Sequence, residues 1–228
     1  MHPNRFAACS PHDLSDLAAG HPLAWICSAG PNGLMATPLP LRLKHGEDGG
    51  LLAVEGHFAI ANPHVAALRA DPQALVLWLG VQGYVSPSWM ADRTQAPSWN
   101  YASAQCRVAV RFEDGAEADE YATLRHLRAL ACEHEAGRPE AWSVDEMGPR
   151  LQQLAQRVVS FRAEVLALHE RYKLGQDERD DVFADILAGL GGSAQAPLAE
   201  WMRRFNPGRG PAATVNDPRD ADAAPPPA

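Results

Sequence analysis

Hydrophobic positions in this chain recur with two different periods, and the two are largely segregated. Alternation marks strands. From Tyr101 to Phe112, Ala102, Ala104, Cys106, Val108 and Val110 alternate with more polar neighbours, and Phe161, Ala163 and Val165 alternate with Arg162 and Glu164. Short apolar runs predict further strands at His21–Ser28, Leu34–Leu43, Leu51–Val54 and Ala74–Leu79, the last apolar throughout and therefore central. Helical spacing appears elsewhere. Leu14, Leu17 and Ala18 follow Ser10-Pro11, and Val65, Ala66 and Leu68 follow the cap Asn62 with Pro63. Tyr121, Leu124, Leu127 and Ala131 form a stripe within Glu117–Glu135, and Leu151, Leu154 and Val158 lie beyond a capping box at Ser143–Glu146. Val182, Ile186 and Leu190 give a helix over Asp177–Leu190, and Leu198, Trp201, Met202 and Phe205 give a short final one.

Punctuation divides these elements. Gly30-Pro31-Asn32-Gly33 is a turn, His45–Gly50 a hairpin loop, and Pro38 and Pro40 confine their strand to an edge or a bulge. Strands come first, with helices at the periphery and in the C-terminal part. This order predicts an α+β chain, mainly β: a small barrel decorated by helices rather than alternating βαβ units. The organisation expected is one domain over residues 1–190, a short helix over 191–205 and a disordered tail over 206–228, where Pro, Ala, Gly and Asp dominate without periodicity.

Composition narrows the function classes. A formal net charge of -8 and a pI near 5.5 weigh against a protein that lives by non-specific phosphate contacts, while leaving room for a local basic patch. No apolar run reaches membrane-spanning length and the N-terminus has no signal-peptide core, so a cytoplasmic protein is expected. Cys9, Cys27, Cys106 and Cys132 form no CxxC pair, which fits free thiols in a reducing compartment. No GxGxxG, GxxxxGK[ST], HExxH or GxSxG motif is present, and the histidines are scattered.

Candidate chemistry concentrates in three polar islands at strand ends. The first is His57–Pro63 (HFAIANP). The second is Tyr84–Tyr101, an aromatic stretch interrupted by Pro87 and Pro97 and containing Ser86, Trp89, Trp99, Asn100 and Tyr101. The third is Lys173–Gln176. A planar, anionic cofactor needs a flat apolar wall, amides for its ring edge and cationic or hydroxyl donors for phosphate. Trp89, Trp99 and Tyr101 suit the wall; Asn62, Asn100 and Gln176 the edge; Lys173, Arg42 and Thr37 the phosphate. The same residues also have plainer readings: buried tryptophans in a covering loop, Asn62 as a helix cap, and Lys173 as a solvated strand end.

The segments Ala36-Thr37-Pro38-Leu39-Pro40-Leu41, His57–Pro63, Tyr84-Val85-Ser86-Pro87-Ser88-Trp89, Pro97-Ser98-Trp99-Asn100-Tyr101 and Lys173-Leu174-Gly175-Gln176 together resemble the PaiB family of FMN-binding negative transcriptional regulators. These are related to the FMN-binding split-barrel proteins. The resemblance implies a six-stranded, Greek-key-like split β-barrel, a homodimer with FMN at its interface, and repression of transcription. It implies cofactor contacts from Thr37, His57, Asn62, Ser86, Trp89, Trp99, Asn100, Tyr101, Lys173 and Gln176. The chain departs from the family pattern at Pro38 (usually His), Ile60 (usually Arg), Met90 (usually Tyr), Gly175 (usually Ser) and Asp177 (usually Asn). The changes at Ile60 and Gly175 remove phosphate donors. Three readings stay open: a flavin-binding regulator, a flavin-dependent oxidoreductase acting on a small molecule, and a split-barrel dimer that has lost FMN for another planar ligand. Direct DNA binding has no support from the overall charge.

Overall fold

The computed structural model describes residues 4–30, 33–114, 121–191 and 194–209. Seven strands form one antiparallel sheet: β1 (Leu23–Gly30), β2 (Gly33–Pro40), β3 (Arg42–His45), β4 (Leu51–Ala59), β5 (Gln73–Val85), β6 (Ser98–Phe112) and β7 (Val158–Lys173). Six helices accompany them: α1 (Asp13–Gly20), α2 (Pro63–Ala70), α3 (Ala122–Glu135), α4 (Arg150–Ala155), α5 (Asp180–Gly191) and α6 (Ala196–Arg204).

The strand order is β2-β1-β5-β6-β7-β4-β3. Its two edge strands are consecutive in the chain, joined through the single buried residue Leu41, whose N–H donates to Pro22 O at 3.1 Å. A sheet whose opposite edges lie one residue apart cannot stay flat. It curls until β2 and β4 touch, and the result is the split barrel. Pro38 and Pro40 sit on β2, whose outer edge carries no ladder, so their missing N–H groups cost no strand pairing.

The sequence predicts six strands and the structure has seven. The run Leu34–Leu43 is not one strand, because the chain turns at Leu41 from one edge of the sheet to the other. β4 runs on from Val54 to Ala59, and β5 extends Ala74–Leu79 to Val85 across a register shift between Leu79 and Gln82. β5 is central as expected, yet only one of its faces is buried: Val76 and Trp78 point inward while Leu79 is 62% exposed. At α1 the cap position is His12, without a side-chain bond. On α3 the buried positions are Ala122 and His126, and Tyr121 before it is exposed, because the helix turns its polar side toward a charged sheet face. The capping box at Ser143 is present, opening a 3-10 turn ahead of α4. The turn at Pro31-Asn32 and the predicted helix start at Glu117 lie outside the described residues, as does the expected tail beyond residue 209; its first residues, 206–209, are described and are ordered, because Asn206 is buried and donates to Leu174 O and Met202 O.

Inside the barrel, Phe58, Phe112 and Phe161 meet at centroid distances of 5.3–6.3 Å, with Trp78, Ile26 and Val108 completing the core. At one end α5 and α6 close over it. Tyr172, Trp201 and Phe205 stack at centroid distances of 4.7–6.1 Å. Arg204 ties α6 to α1 by pairing with Asp13, which is fully buried, and with Asp16 at 2.6 Å. Asp13 also accepts from the backbone N–H groups of Cys9 and Ser10 at 2.7 and 2.9 Å. Removing one partner leaves a buried carboxylate short of its counter-charge. Arg204→Met should therefore lower unfolding free energy by about 2 kcal/mol in urea titrations, discounted from a fully buried pair because the arginine is partly exposed.

Candidate functional site

The ends of β5 and β6 bring Tyr84 opposite Trp99, and β7 brings Lys173 opposite Tyr101. Strand alternation turns these side chains outward, since Val85, Asn100 and Tyr172 between them are buried. The two rings lie 6.0 Å apart at 54°, and both are substantially exposed, Trp99 at 50% and Tyr84 at 43%. Trp99 Nε1 donates to Gln82 Oε1 at 2.6 Å, which fixes the indole plane. Lys173 Nζ donates to Ser98 Oγ and, at 3.1 Å, to Trp99 O: two uncharged oxygens. Arg171 Nε donates to the Tyr101 hydroxyl at 3.1 Å while its guanidinium lies 4.6 Å from the centre of the Phe6 ring. The arrangement is an aromatic wall with an amide at its edge and two cations beside it.

The remaining residues of these two islands make structural contacts. Ser86 caps the 3-10 turn Pro87–Trp89 by accepting from Ser88 N at 3.2 Å. Trp89 packs on α5, where a Cβ at Gly189 would come within 2.4 Å of its ring. Asn100 is 1% exposed, its amide donating to Met202 Sδ at 3.5 Å. Gln176 closes the end of β7, donating to Tyr172 O at 2.6 Å and accepting from Leu174 N at 2.7 Å. Gly175 has a physical reason to be glycine: φ is +85°, and a Cβ would meet Phe183 at 3.0 Å.

The first island lies elsewhere. Ala59 pairs with Val158, at the opposite end of β7 from Lys173, roughly 50 Å of extended chain away. There His64 is fully buried, with Ser28 Oγ and Thr37 Oγ1 each 2.9 Å from a ring nitrogen. Asn62 caps α2 by accepting from His64 N at 2.9 Å, and its amide reaches Thr37 Oγ1 at 3.5 Å. Ile60 is 52% exposed. His57 points to the outer face, where its Nδ1 lies 3.1 Å from Nε2 of His126 on α3. Arg42 is not near Lys173 or Trp99; it bridges Glu133 on α3, at 2.5 Å, and Glu55 on β4, at 3.3 Å.

Within one chain the structure thus joins the second and third islands around Trp99, Tyr101 and Lys173. It groups Thr37 and Asn62 around His64, and sets His57 apart. Tyr84 opens the second island without having been given a binding role, and Gln82, Arg171, His64 and His126 were not singled out as site residues. Gln82 and Tyr84 were legible as the outward-facing positions of a longer β5, whereas the histidine partners depend on tertiary contacts. No group of three His, Cys, Asp or Glu side chains able to hold a metal occurs among the described residues.

A family model described as "Putative FMN-binding domain" matches residues 1–167. The chain belongs to this FMN-binding family. It is also 27% identical over 157 residues to the protease synthase and sporulation protein PAI 2 of Bacillus subtilis, covering 68% of this chain and 72% of that protein. Among solved structures, the FAD and heme binding protein of Mycobacterium smegmatis superposes with a TM-score of 0.53 at 20% identity, covering 80% of this chain and 79% of that one. A conserved hypothetical protein of Mycobacterium tuberculosis superposes at 0.52 and 14% identity, covering 76% and 90%. These likenesses carry the split-barrel fold.

The residues present fit FMN, the cofactor of the family. Trp99 and Tyr84 offer a wall for a planar ring, Gln82 an amide at its edge, and Lys173 and Arg171 the charge for a phosphate.

Burial lowers the pKa of His57, His64 and His126, the last from the ordinary histidine value of 6.5 to about 4, helped by the neighbouring His57 and by Arg42 and Lys44. The unfolded chain takes up protons near 6.5 that the folded chain refuses, so stability present above that pH is lost as pH falls toward 4. His126 alone accounts for on the order of 3 kcal/mol across that window. Urea unfolding from pH 7 to 4.5 should show the fall, and His126→Phe should make it shallower; an unchanged slope would assign the effect to other groups.

Proposed function

We propose that this protein is a homodimeric, cytoplasmic FMN-binding regulator of the negative, transcription-repressing type. The observation that carries the reading is the division of the binding groups. The aromatic wall with Lys173 and Arg171 stands at one end of β7, and the Thr37–Asn62 cluster, with His57 on the same strand's neighbour, stands toward the other. One FMN cannot use both ends of a single chain, whereas a two-fold pair can set one end of each copy against the opposite end of the other.

The outer face of β1 and β5 supports such pairing. Leu23, Trp25 and Leu79 are 50–62% exposed, and the register sets Trp25 beside Leu77 in one apolar band that leads along β5 to Gln82 and Tyr84. Burying such a band stabilises association by about 25 cal/mol per Å² before the costs of ordering. In this arrangement Trp99 and Tyr84 of one copy would line one face of the ring, with Gln82 holding the indole and Lys173 and Arg171 meeting the phosphate, and the Thr37–Asn62 end of the other copy would close the opposite side. When bound, FMN supplies a ring that accepts and releases electrons. The name of the Bacillus subtilis relative, which concerns protease synthesis and sporulation, supports a regulatory task.

An absorbance scan of the purified protein should show the flavin bands. Trp99→Ala should weaken FMN binding at least tenfold, measured by quenching of flavin fluorescence. Its melting temperature should hardly move, because the indole is half exposed. Trp25→Glu should convert a dimer to a monomer in sedimentation velocity. A wild-type protein that sediments as a monomer with FMN bound would overturn the two-fold site. Substrate-coupled turnover of the flavin would favour the oxidoreductase.

A further inference from the structure

The overall charge conceals a local one. Burial of Ala102, Ala104, Cys106, Val108 and Val110 turns Arg107 and Arg111 to the outer face of β6. The register sets these beside outward residues of β7: Tyr101 faces Lys173, Ser103 faces Arg171, Gln105 faces His169, and Arg111 faces Arg162. Successive outward residues lie about 7 Å apart along a strand. The face therefore carries a line of basic groups about 30 Å long, running from Lys173 through Arg171, His169 and Arg107 to the Arg111–Arg162 pair. On these two strands the outward acid is Glu164, opposite Ala109, while Arg162 is paired with Glu55 at 3.0 Å.

Two features make this more than a solvated strand pair. Arg111 stands directly opposite Arg162, and although Glu55 offsets the charge of Arg162, no carboxylate of these strands is paired with Arg111 among the described residues. Arg107 and Arg111 are exposed and engage no carboxylate among the described residues, although the chain carries eight more acids than bases. A chain of net charge -8 that keeps one sheet face basic presents it to an anion with charge distributed along its length. One phosphate needs one or two cations; this line extends well past the pair beside Trp99. At its upper end stand Tyr101 and the exposed Trp99, giving the combination of cations and stacking rings that holds unpaired bases.

We infer that the outer face of β6 and β7 binds single-stranded nucleic acid, its phosphates following the line from Lys173 to Arg111 and a terminal base stacking at Tyr101 and Trp99. The inference shares Lys173, Arg171 and Trp99 with the proposed flavin site and goes beyond it through His169, Arg107 and Arg111, so the variants that test it change only Arg107 and Arg111.

The test is fluorescence anisotropy of a labelled thymidine oligonucleotide of roughly 12 residues, with the full-length protein as purified. Saturable binding is expected at about 50 mM salt, with a slope of log affinity against log salt near -3 for four phosphate contacts. The double variant Arg107→Ala/Arg111→Ala should lose at least tenfold in affinity and about half of that slope, and Arg107→Lys/Arg111→Lys should retain both. Both arginines are exposed, so the variants should melt with the wild type. No saturable binding by the wild type, equal binding by the alanine variant, or equally tight binding of polyglutamate or of the matching duplex would each overturn the assignment. Loss of flavin binding in Trp99→Ala with the salt slope nearly intact would keep the two readings separate.

Discussion

The two outermost strands of the sheet are neighbours in sequence, and Leu41 is the one residue between them. Everything else in the fold accommodates that short tether. The sheet must bend through a full turn, and bending creates an inside, which Phe58, Phe161, Trp78 and Ile26 fill. Bending also demands places where side chains would collide. At Gly56 a Cβ would meet Leu41 at 2.6 Å and Phe161 at 2.8 Å, so glycine there is a condition of closure. The long strands β6 and β7 serve the same end, since only strands of this length wrap a barrel and still project beyond it. Their projecting ends carry the aromatic wall.

The C-terminal helices give the wall its firmness. α5 and α6 lie beyond the residues matched by the family model; α5 packs beneath the very loop that holds Ser86 and Trp89, and α6 packs on α5 and β5. Asn206 donates to Leu174 O and Met202 O, and Arg209 donates to Gly175 O and Glu178 O, so the chain after β7 is stitched back onto the strand's end. Lys173 is thereby held between a strand ladder and a closed turn. A cation kept in one place by neutral oxygens is better prepared for an incoming anion than one swinging on a free stem.

Much of this was legible in the sequence. Alternation in β6 and in the first part of β7 identified strands and their buried faces, and cap residues found α2 and the turn at Ser143. What remained hidden was non-local. Nothing near Leu41 signals that the chain crosses from one edge of a sheet to the other, because the requirement arises from strand order. Asn100 and Trp89 look like binding groups in sequence, and the structure sets them against Met202 and Gly189, far later in the chain, which no local pattern signals; for Asn100 the buried face of β6 is also hidden when the register shift at Leu79 is unseen. The basic line on β6 and β7 was invisible for a related reason. Its members come from two strands, Arg107 and Arg111 from β6 and Arg162, His169, Arg171 and Lys173 from β7, which are distant in the chain, and they are diluted by acids that fold onto other surfaces.

β2 has a consequence of its own. Its inner edge is laddered to β1, but toward β4 the described residues show contact without strand pairing, and Pro38 and Pro40 have no N–H to offer. The barrel therefore has a seam. Elsewhere around the circumference, separating two strands means breaking a row of backbone hydrogen bonds; along the seam only side-chain packing must yield. Breathing motions of the barrel should begin there, and amide protons of β2 that point away from β1 should exchange with solvent long before those of β6, which is paired on both sides.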